Sequence, residues 1–197
     1  NQSVTQVFNF NRTSNQFVFR RNVVRNGRRV GVLYKGHRAV VSDNTFEGLG
    51  GGALELWNAP YEGLLASTVL FRNNTVREFG RWTSGGVAPP VWSGTFAETA
   101  TSGRHSDLLV ENNTFDSGPG SIFRLVAMAG ALVRNNTVHH CASDAVIVLS
   151  NVERVAIRDN TLLPSQSARL CSNTSNERYQ PLAPDPSDEL LRSLRAE

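Results

Sequence analysis

The chain has 197 residues, a hydrophobic fraction of 40% and a formal net charge of +3, the profile of one domain with a sizeable core. It has no run of about 18 apolar residues, so no helix of a membrane-spanning kind is expected. The charge is too small to point to nucleic acid. The two cysteines, Cys141 and Cys171, are too few for a disulfide framework, and whether they pair is open. The basic residues are nearly all Arg, with Lys35 the one Lys. Arg suits bidentate recognition of carboxylates, and an Arg-rich genome accounts for the bias at least as well.

In chain order, the start Asn1-Gln2-Ser3 reads as the interior of a longer chain or a processed mature start. Residues Val4 to Phe10 look like part of a strand without a cap, so further coils are expected upstream. A repeat then begins. A weak copy, Phe19-Arg20-Arg21-Asn22-Val23-Val24, is followed by Val41-Ser42-Asp43-Asn44-Thr45-Phe46 and Phe71-Arg72-Asn73-Asn74-Thr75-Val76. Val110-Glu111-Asn112-Asn113-Thr114-Phe115, Val133-Arg134-Asn135-Asn136-Thr137-Val138 and Ile157-Arg158-Asp159-Asn160-Thr161-Leu162 complete it. The anchoring Asn residues stand at 22, 44, 74, 113, 136 and 160, with gaps of 22, 30, 39, 23 and 24. A period of about 22–24 residues carrying two insertions suits one coil of a parallel β-helix.

The anchor has a physical reason. Asn tolerates left-handed φ at a bend, and stacked carboxamides hydrogen-bond from coil to coil. Asn73, Asn112 and Asn135 also begin glycosylation sequons; the phrase is read as a ladder because it recurs in register with the core. The residues three before the anchor (Phe19, Val41, Phe71, Val110, Val133, Ile157) and two after it (Val24, Phe46, Val76, Phe115, Val138, Leu162) form stacked core columns. A second strand follows at Val32-Leu33-Tyr34, Leu54-Glu55-Leu56, Phe123-Arg124-Leu125 and Val146-Ile147-Val148, with its first and third members facing inward. A leucine-rich repeat, the rival at this period, needs a Leu-x-x-Leu-x-Leu frame that is missing.

The expected fold is therefore all-β: a right-handed parallel β-helix of six to seven coils over residues 1–163. A polar tail over 164–197 follows. Within it Asp185-Pro186-Ser187-Asp188-Glu189-Leu190-Leu191 reads as a short helix that caps or docks on the last coil, with Asp185 at its N-cap.

Insertions in solenoids map to loops on one face, often the binding face. The two here, 57–68 and 80–107, hold all three Trp residues, and aromatic rings stack on the apolar faces of sugars. The outward middle column of the second strand reads Leu33, Glu55, Arg124, Ile147 and Cys171. Matching Gly85-Gly86-Val87 to Gly51-Gly52-Ala53 places Pro89 there in the inserted coil. Glu55 and Arg124 then bracket that coil about 10 Å apart. The candidate substrate-binding residues are Glu55, Trp57, Tyr61, Glu62, Trp92 and Arg124. Each also has a plain structural reading, as a loop-pinning ring or a solvated surface charge.

His37, His105, His139 and His140 lack metal-ligand spacing, so neither a metal nor another cofactor is implied. His139-His140 and Asp144 read as a solvated turn. Arg20, Arg21, Arg25, Arg28, Arg29, Lys35 and Arg38 read as a solvated outer face that is basic enough to hold an anionic glycan.

The stretch from Phe19 to Leu162 resembles the right-handed β-helix proteins of the pectate-lyase-like superfamily. Arg28–Leu33, Val41–Phe46, Gly51–Leu56, Tyr61-Glu62 and Leu109–Phe115, in that order, look most like the exo-α-1,3-galactosidases of glycoside hydrolase family 110. That resemblance implies a secreted or periplasmic inverting glycosidase with Asp residues as acid and base. The family's Asp-Asp motif lies upstream of the matching stretch, and this chain has no Asp-Asp pair, so no catalytic residue is assigned. Glu55, Tyr61 and Glu62 match positions near the family's substrate-facing loops. Polygalacturonase (Asp-Asp, Gly-His-Gly) and alginate epimerase (Asp-Pro-His-Asp) motifs are absent. Arg124 fits a lyase or epimerase acting on uronate polymers, and a non-catalytic glycan-binding or structural solenoid is the remaining alternative. The partners so implied are an oligo- or polysaccharide and the upstream coils of the same polypeptide, with no nucleic acid and no membrane.

Overall fold

The computed structural model describes residues 14–58, 64–80, 88–95, 104–116, 118, 120–139, 147–163 and 174–175. Numbered in chain order, its strands wrap into coils with three faces. The first face holds β1 (Ser14–Arg20), β4 (Gly36–Ser42), β7 (Ser67–Arg72), β10 (His105–Glu111) and the second halves of β12 (Phe123–Arg134) and β14 (Ile147–Arg158). The second face holds β2 (Val23–Arg25), β5 (Thr45–Glu47), β8 (Thr75–Arg77), β11 (Thr114–Asp116), β13 (Thr137–Val138) and β15 (Thr161–Leu162). The third holds β3 (Val32–Leu33), β6 (Leu54–Asn58), β9 (Val91–Thr95), the first halves of β12 and β14, and β16 (Thr174–Ser175). Strands on each face pair in parallel, rung on rung. The described residues thus make six coils of a parallel β-helix, with β12 and β14 each running round one corner from the third face to the first.

The anchors form a continuous hydrogen-bonded ladder. The Asn74 backbone N–H and its Nδ2 both donate to Asn113 Oδ1, at 2.8 and 3.1 Å. Asn113 repeats this onto Asn136 Oδ1, at 3.0 and 2.9 Å. From Asn44 onward, each Nδ2 spends a hydrogen on a core carbonyl of the preceding coil, as from Asn113 to Phe71 O and from Asn136 to Val110 O, both 3.0 Å. The same pattern runs from Asn22 through Asn44 to Asn74 and from Asn136 to Asn160. Every lone pair and hydrogen of an interior carboxamide is used, which is what permits Asn44, Asn74, Asn113 and Asn136 to be buried.

The left-handed bend belongs to the residue before the anchor. Arg21, Asp43, Asn73, Asn112, Asn135 and Asp159 take φ between 52 and 59°. The ladder and the bend are therefore separate jobs, done by adjacent residues. Asn73, Asn112 and Asn135, the sequon residues, are exposed, whereas the anchors that follow them form the ladder. A second left-handed column, Gln16, Arg38, Thr68, Asp107, Gly130 and Arg154, kinks the first face at its start. At Gly130 φ reaches 101°, and a Cβ would stand 3.1 Å from Asp107 Oδ1, so glycine is required there.

The core columns stack as expected. Phe19, Val41, Phe71, Val110, Val133 and Ile157 are in register, as are Val24, Phe46, Val76, Phe115, Val138 and Leu162. Phe46, Phe71, Val76, Val110 and Phe115 are fully buried. Aromatic rings continue the stack: Phe19 on Phe46 at 6.3 Å and Phe46 on Phe71 at 6.2 Å. Tyr34 lies inward, 5.6 Å from Phe17, and burial pushes its pKa up to about 12.

Two sequence expectations are corrected. Ile147, not Val146, pairs with Phe123, so the inward pair is Ile147 and Leu149, with Val148 outward. Four consecutive apolar residues fit either alternation, and one extra residue between β13 and β14 decides it. The range 80–107 is also not a single loop, because β9 lies within it as a regular rung. The predicted helix over 185–191 and most of the tail from Pro164 lie outside the described residues.

Removing an interior rung should cost more than removing a terminal one. Asn113→Ala strands buried partners on Asn74, Phe71 and Asn136, at roughly 1–3 kcal/mol each. We expect urea unfolding to show a loss of at least about 3 kcal/mol for Asn113→Ala and a clearly smaller one for half-buried Asn22→Ala. Equal losses would refute the ladder's role.

Candidate functional site

On the third face, alternation sends Leu54, Val91 and Phe123 inward and their successors outward. The outward column in register is Leu33, Glu55, Trp92, Arg124 and Val148, and Thr174 pairs with Val148 on the next rung. Three expected members are thereby corrected: Trp92 stands where Pro89 was placed, Val148 replaces Ile147, and Thr174 replaces Cys171. The inserted coil holds three more residues before its strand than the Gly-Gly match allowed. Ala53 and Leu54 both donate to Pro90 O at 2.9 Å, so Pro90 stands level with Ala53. Proline cannot donate to a ladder, which restricts the Pro89-Pro90 pair to the turn and starts the strand at Val91.

The consequence is a closer cluster than the sequence suggested. Trp92, in place of Pro89, sits between Glu55 and Arg124, about 5 Å from each along the stack. Trp57, two residues beyond Glu55 on the same outward side, is level with Gly94. The Trp57 and Trp92 rings lie 5.2 Å apart, tilted by 47°. Gly94 makes this possible: a Cβ there would meet Trp57 Cζ3 at 3.0 Å, its Cε3 at 3.1 Å and Trp92 Nε1 at 3.2 Å. The half-buried indoles therefore converge over a strand position without a side chain. Trp92 Nε1 and Asn58 Oδ1, one donor and one acceptor, are buried without a hydrogen-bond partner.

Of the six candidate residues, the structure brings Glu55, Trp57, Trp92 and Arg124 together on one face. Tyr61 and Glu62 lie outside the described residues; their segment, 59–63, follows β6 directly. Cys141, Cys171, His140 and Asp144 also lie outside them. His37 is exposed and hydrogen-bonds Ser67 Oγ at 2.8 Å, and His139 is half-buried. No grouping of His, Cys, Asp or Glu among the described residues suits a metal. In the basic run, Arg20, Arg21, Arg25, Arg28 and Arg29 are exposed, and Arg25 pairs with Glu47 at 3.1 Å.

One residue that sequence reasoning left aside, His105, holds the site's floor in place. It is fully buried at the start of β10. Ala66 N–H donates to its Nδ1 at 3.0 Å, so Nδ1 is unprotonated and Nε2–H donates to Gly94 O at 3.0 Å. The ring is thus a neutral staple between the strand returning from the first insertion and the backbone beneath the two indoles. A histidine next to an insertion gives no periodic signal, so only the fold reveals this role. Burial holds its pKa below the ordinary value of 6.5.

The sign of the pH effect follows. The unfolded chain takes up a proton near pH 6.5 and the folded chain resists until lower pH. The stabilisation is complete above about 6.5 and is lost as pH falls toward the folded pKa. We expect the urea midpoint to drop between pH 7.5 and 5.5, and His105→Gln, which keeps one acceptor and one donor, to flatten that drop. An equally steep drop in the variant would clear His105 of the effect.

The comparisons agree with the architecture. The family model described as "Right handed beta helix region" matches residues 6–178. None of the curated proteins and none of the solved structures matches the chain. The chain belongs to the right-handed β-helix family.

Proposed function

We propose that this right-handed β-helix binds an oligo- or polysaccharide on its third face and forms the C-terminal part of a glycoside hydrolase acting on α-galactosides. The observation that carries the binding reading is the convergence of Trp57 and Trp92 over Gly94, between Glu55 and Arg124. Tilted indoles offer apolar surface to the C–H faces of a pyranose. Glu55 offers acceptors and Arg124 a planar fork of donors one rung to either side.

The hydrolase reading rests on the resemblance to the family 110 galactosidases across Arg28–Leu33, Val41–Phe46 and Gly51–Leu56. Glycosidases of this type use two carboxylates. Among the described residues, Glu55 is the carboxylate of the outward site column, so the described face is proposed as the binding floor. The acid and base would come from upstream coils of the same polypeptide. A secreted or periplasmic location belongs to the same proposal. Arg124, one rung from Trp92, favours a second reading, a lyase acting on uronate polymers.

The first test is galactose release from a panel of α-galactosides by the polypeptide that carries this chain; no release rejects the hydrolase. Ultraviolet-absorbing unsaturated products from uronans would instead establish the lyase. Binding is tested separately by calorimetry on the glycan found. Trp57→Ala and Gly94→Val, which pushes the indoles apart, should each weaken it by about 1–2 kcal/mol, roughly tenfold. Unchanged affinity in both would remove the indole pair from the site.

A further inference from the structure

The bend between the first and second faces carries side chains that the ladder does not use. In successive rungs the bend residue, always at left-handed φ, is Arg21, Asp43, Asn73, Asn112, Asn135 and Asp159. Arg and Asp fill the bend in three rungs, so the backbone does not require Asn there. In the three consecutive rungs where it is Asn, the second residue after it is Thr75, Thr114 or Thr137. Each Asn-Asn-Thr phrase is thus a sequon, and its two Asn residues have opposite surroundings. Asn74, Asn113 and Asn136 are buried, and their Nδ2 hydrogens go to the next Oδ1 and to a core carbonyl. Asn73, Asn112 and Asn135 are exposed. Asn73 Nδ2 donates to Asp43 Oδ1 at 3.1 Å, a surface bond that needs one of its two hydrogens. The Thr side chains face outward, because Val76, Phe115 and Val138 beside them point into the core.

We infer that Asn73, Asn112 and Asn135 are acceptor sites for N-linked glycan, and that sites on neighbouring rungs exclude one another, so that Asn73 and Asn135 are the pair one molecule carries together. The inference rests on the secreted or periplasmic location proposed above, because its co-reactant, a lipid-diphosphate-linked oligosaccharide, meets chains during export. In the transfer, Asn Nδ2 attacks C1 of the first sugar. The C1–O bond breaks, the lipid diphosphate leaves with the electron pair, and Nδ2 gives up one proton to a base of the transferase. One hydrogen stays on Nδ2, enough to keep the bond from Asn73 to Asp43. The three sites stand on consecutive rungs, about 5 Å apart. A linked glycan is bulkier than that spacing, so glycans at Asn112 and at either neighbour collide. Asn73 and Asn135 stand two rungs apart, about 10 Å, and leave room for both. This bend lies across the coil from the third face, so glycans on it leave the Trp57–Trp92 face open.

The test takes the polypeptide that carries this chain from its source cells, separated into exported and intracellular fractions. Trypsin places the three sites on separate peptides, and mass spectrometry reads whether each Asn carries sugar. Sugar is expected on Asn73 and Asn135 of the exported polypeptide, with Asn112 largely bare. Thr75→Val with Thr137→Val removes two sequons and keeps their Asn residues; Val23 occupies the same column in the first coil, so the rung accepts Val. Sugar should vanish from Asn73 and Asn135 in that variant, with an unchanged circular dichroism spectrum. Asn73→Gln with Asn135→Gln should raise the occupancy of Asn112 severalfold. Exported polypeptide bare at all three sites overturns the inference, as does sugar that persists in the Thr→Val variant. Full occupancy of all three sites overturns the exclusion between rungs. Polypeptide found only inside the cell rejects the proposed location, and this inference with it.

Discussion

A carboxamide carries two donors and two acceptor lone pairs, and this fold depends on a position where all four are used between rungs. The side chains of Asn44, Asn74, Asn113 and Asn136 each accept two hydrogen bonds from the coil before, donate one to the coil after and return one to a core carbonyl. A parallel sheet alone fixes strand spacing but tolerates slippage where both sides are similar. The buried ladder removes that freedom, because a one-residue slip would replace every amide contact with an unsatisfied polar group. The aromatic and aliphatic columns on either side inherit their register from it.

Stacking identical positions every 5 Å imposes a second rule. A neutral side chain stacks on itself without penalty, and Asn and the exposed-side Thr45, Thr75, Thr114, Thr137 and Thr161 do so. A charged side chain stacked on itself repels. The outer column of the second face accordingly alternates in sign: Arg25, Glu47, Arg77, Asp116. On the first face, half-buried Arg134 donates twice to buried Glu111, at 3.1 and 2.9 Å. Exposed pairs such as Arg25–Glu47 add little stability; their value is that neighbouring rungs do not carry like charges at that column.

The fold was legible because its determinants are periodic. The Asn columns, the two core columns and three of the four proposed second-strand registers follow directly from residues that recur. What recurrence does not carry was misplaced or missed. Val146-Ile147-Val148-Leu149 holds no polar residue to mark inside from outside, so its register slipped by one. The inserted coil was aligned on glycines, whereas the prolines at 89 and 90 held the physical information, and Trp92 was therefore left off its rung. His105 acts through backbone atoms of Ala66 and Gly94, partners from different coils. Of the candidate residues, Glu55 and Arg124 share a face as the alternation indicated, and Trp57 and Trp92 were singled out as loop aromatics while the rung that Trp92 occupies was not.

A solenoid face places few demands on its outward residues, which gives local departures their weight. A tryptophan on an outward position leaves part of a large apolar ring in water, and glycine within a strand forfeits both packing and chain entropy. Neither is needed to build a rung, as the Leu33 and Arg124 rungs show. Here Trp57, Trp92 and Gly94 occur on adjacent rungs, in the coils that carry the insertions, with a buried histidine fixing the Gly94 carbonyl and two polar atoms left without partners. Local rules are broken together where function requires it. The third face is the one on which Trp57, Trp92 and Gly94 depart together from what a rung needs, and this departure is what supports seeking a ligand there.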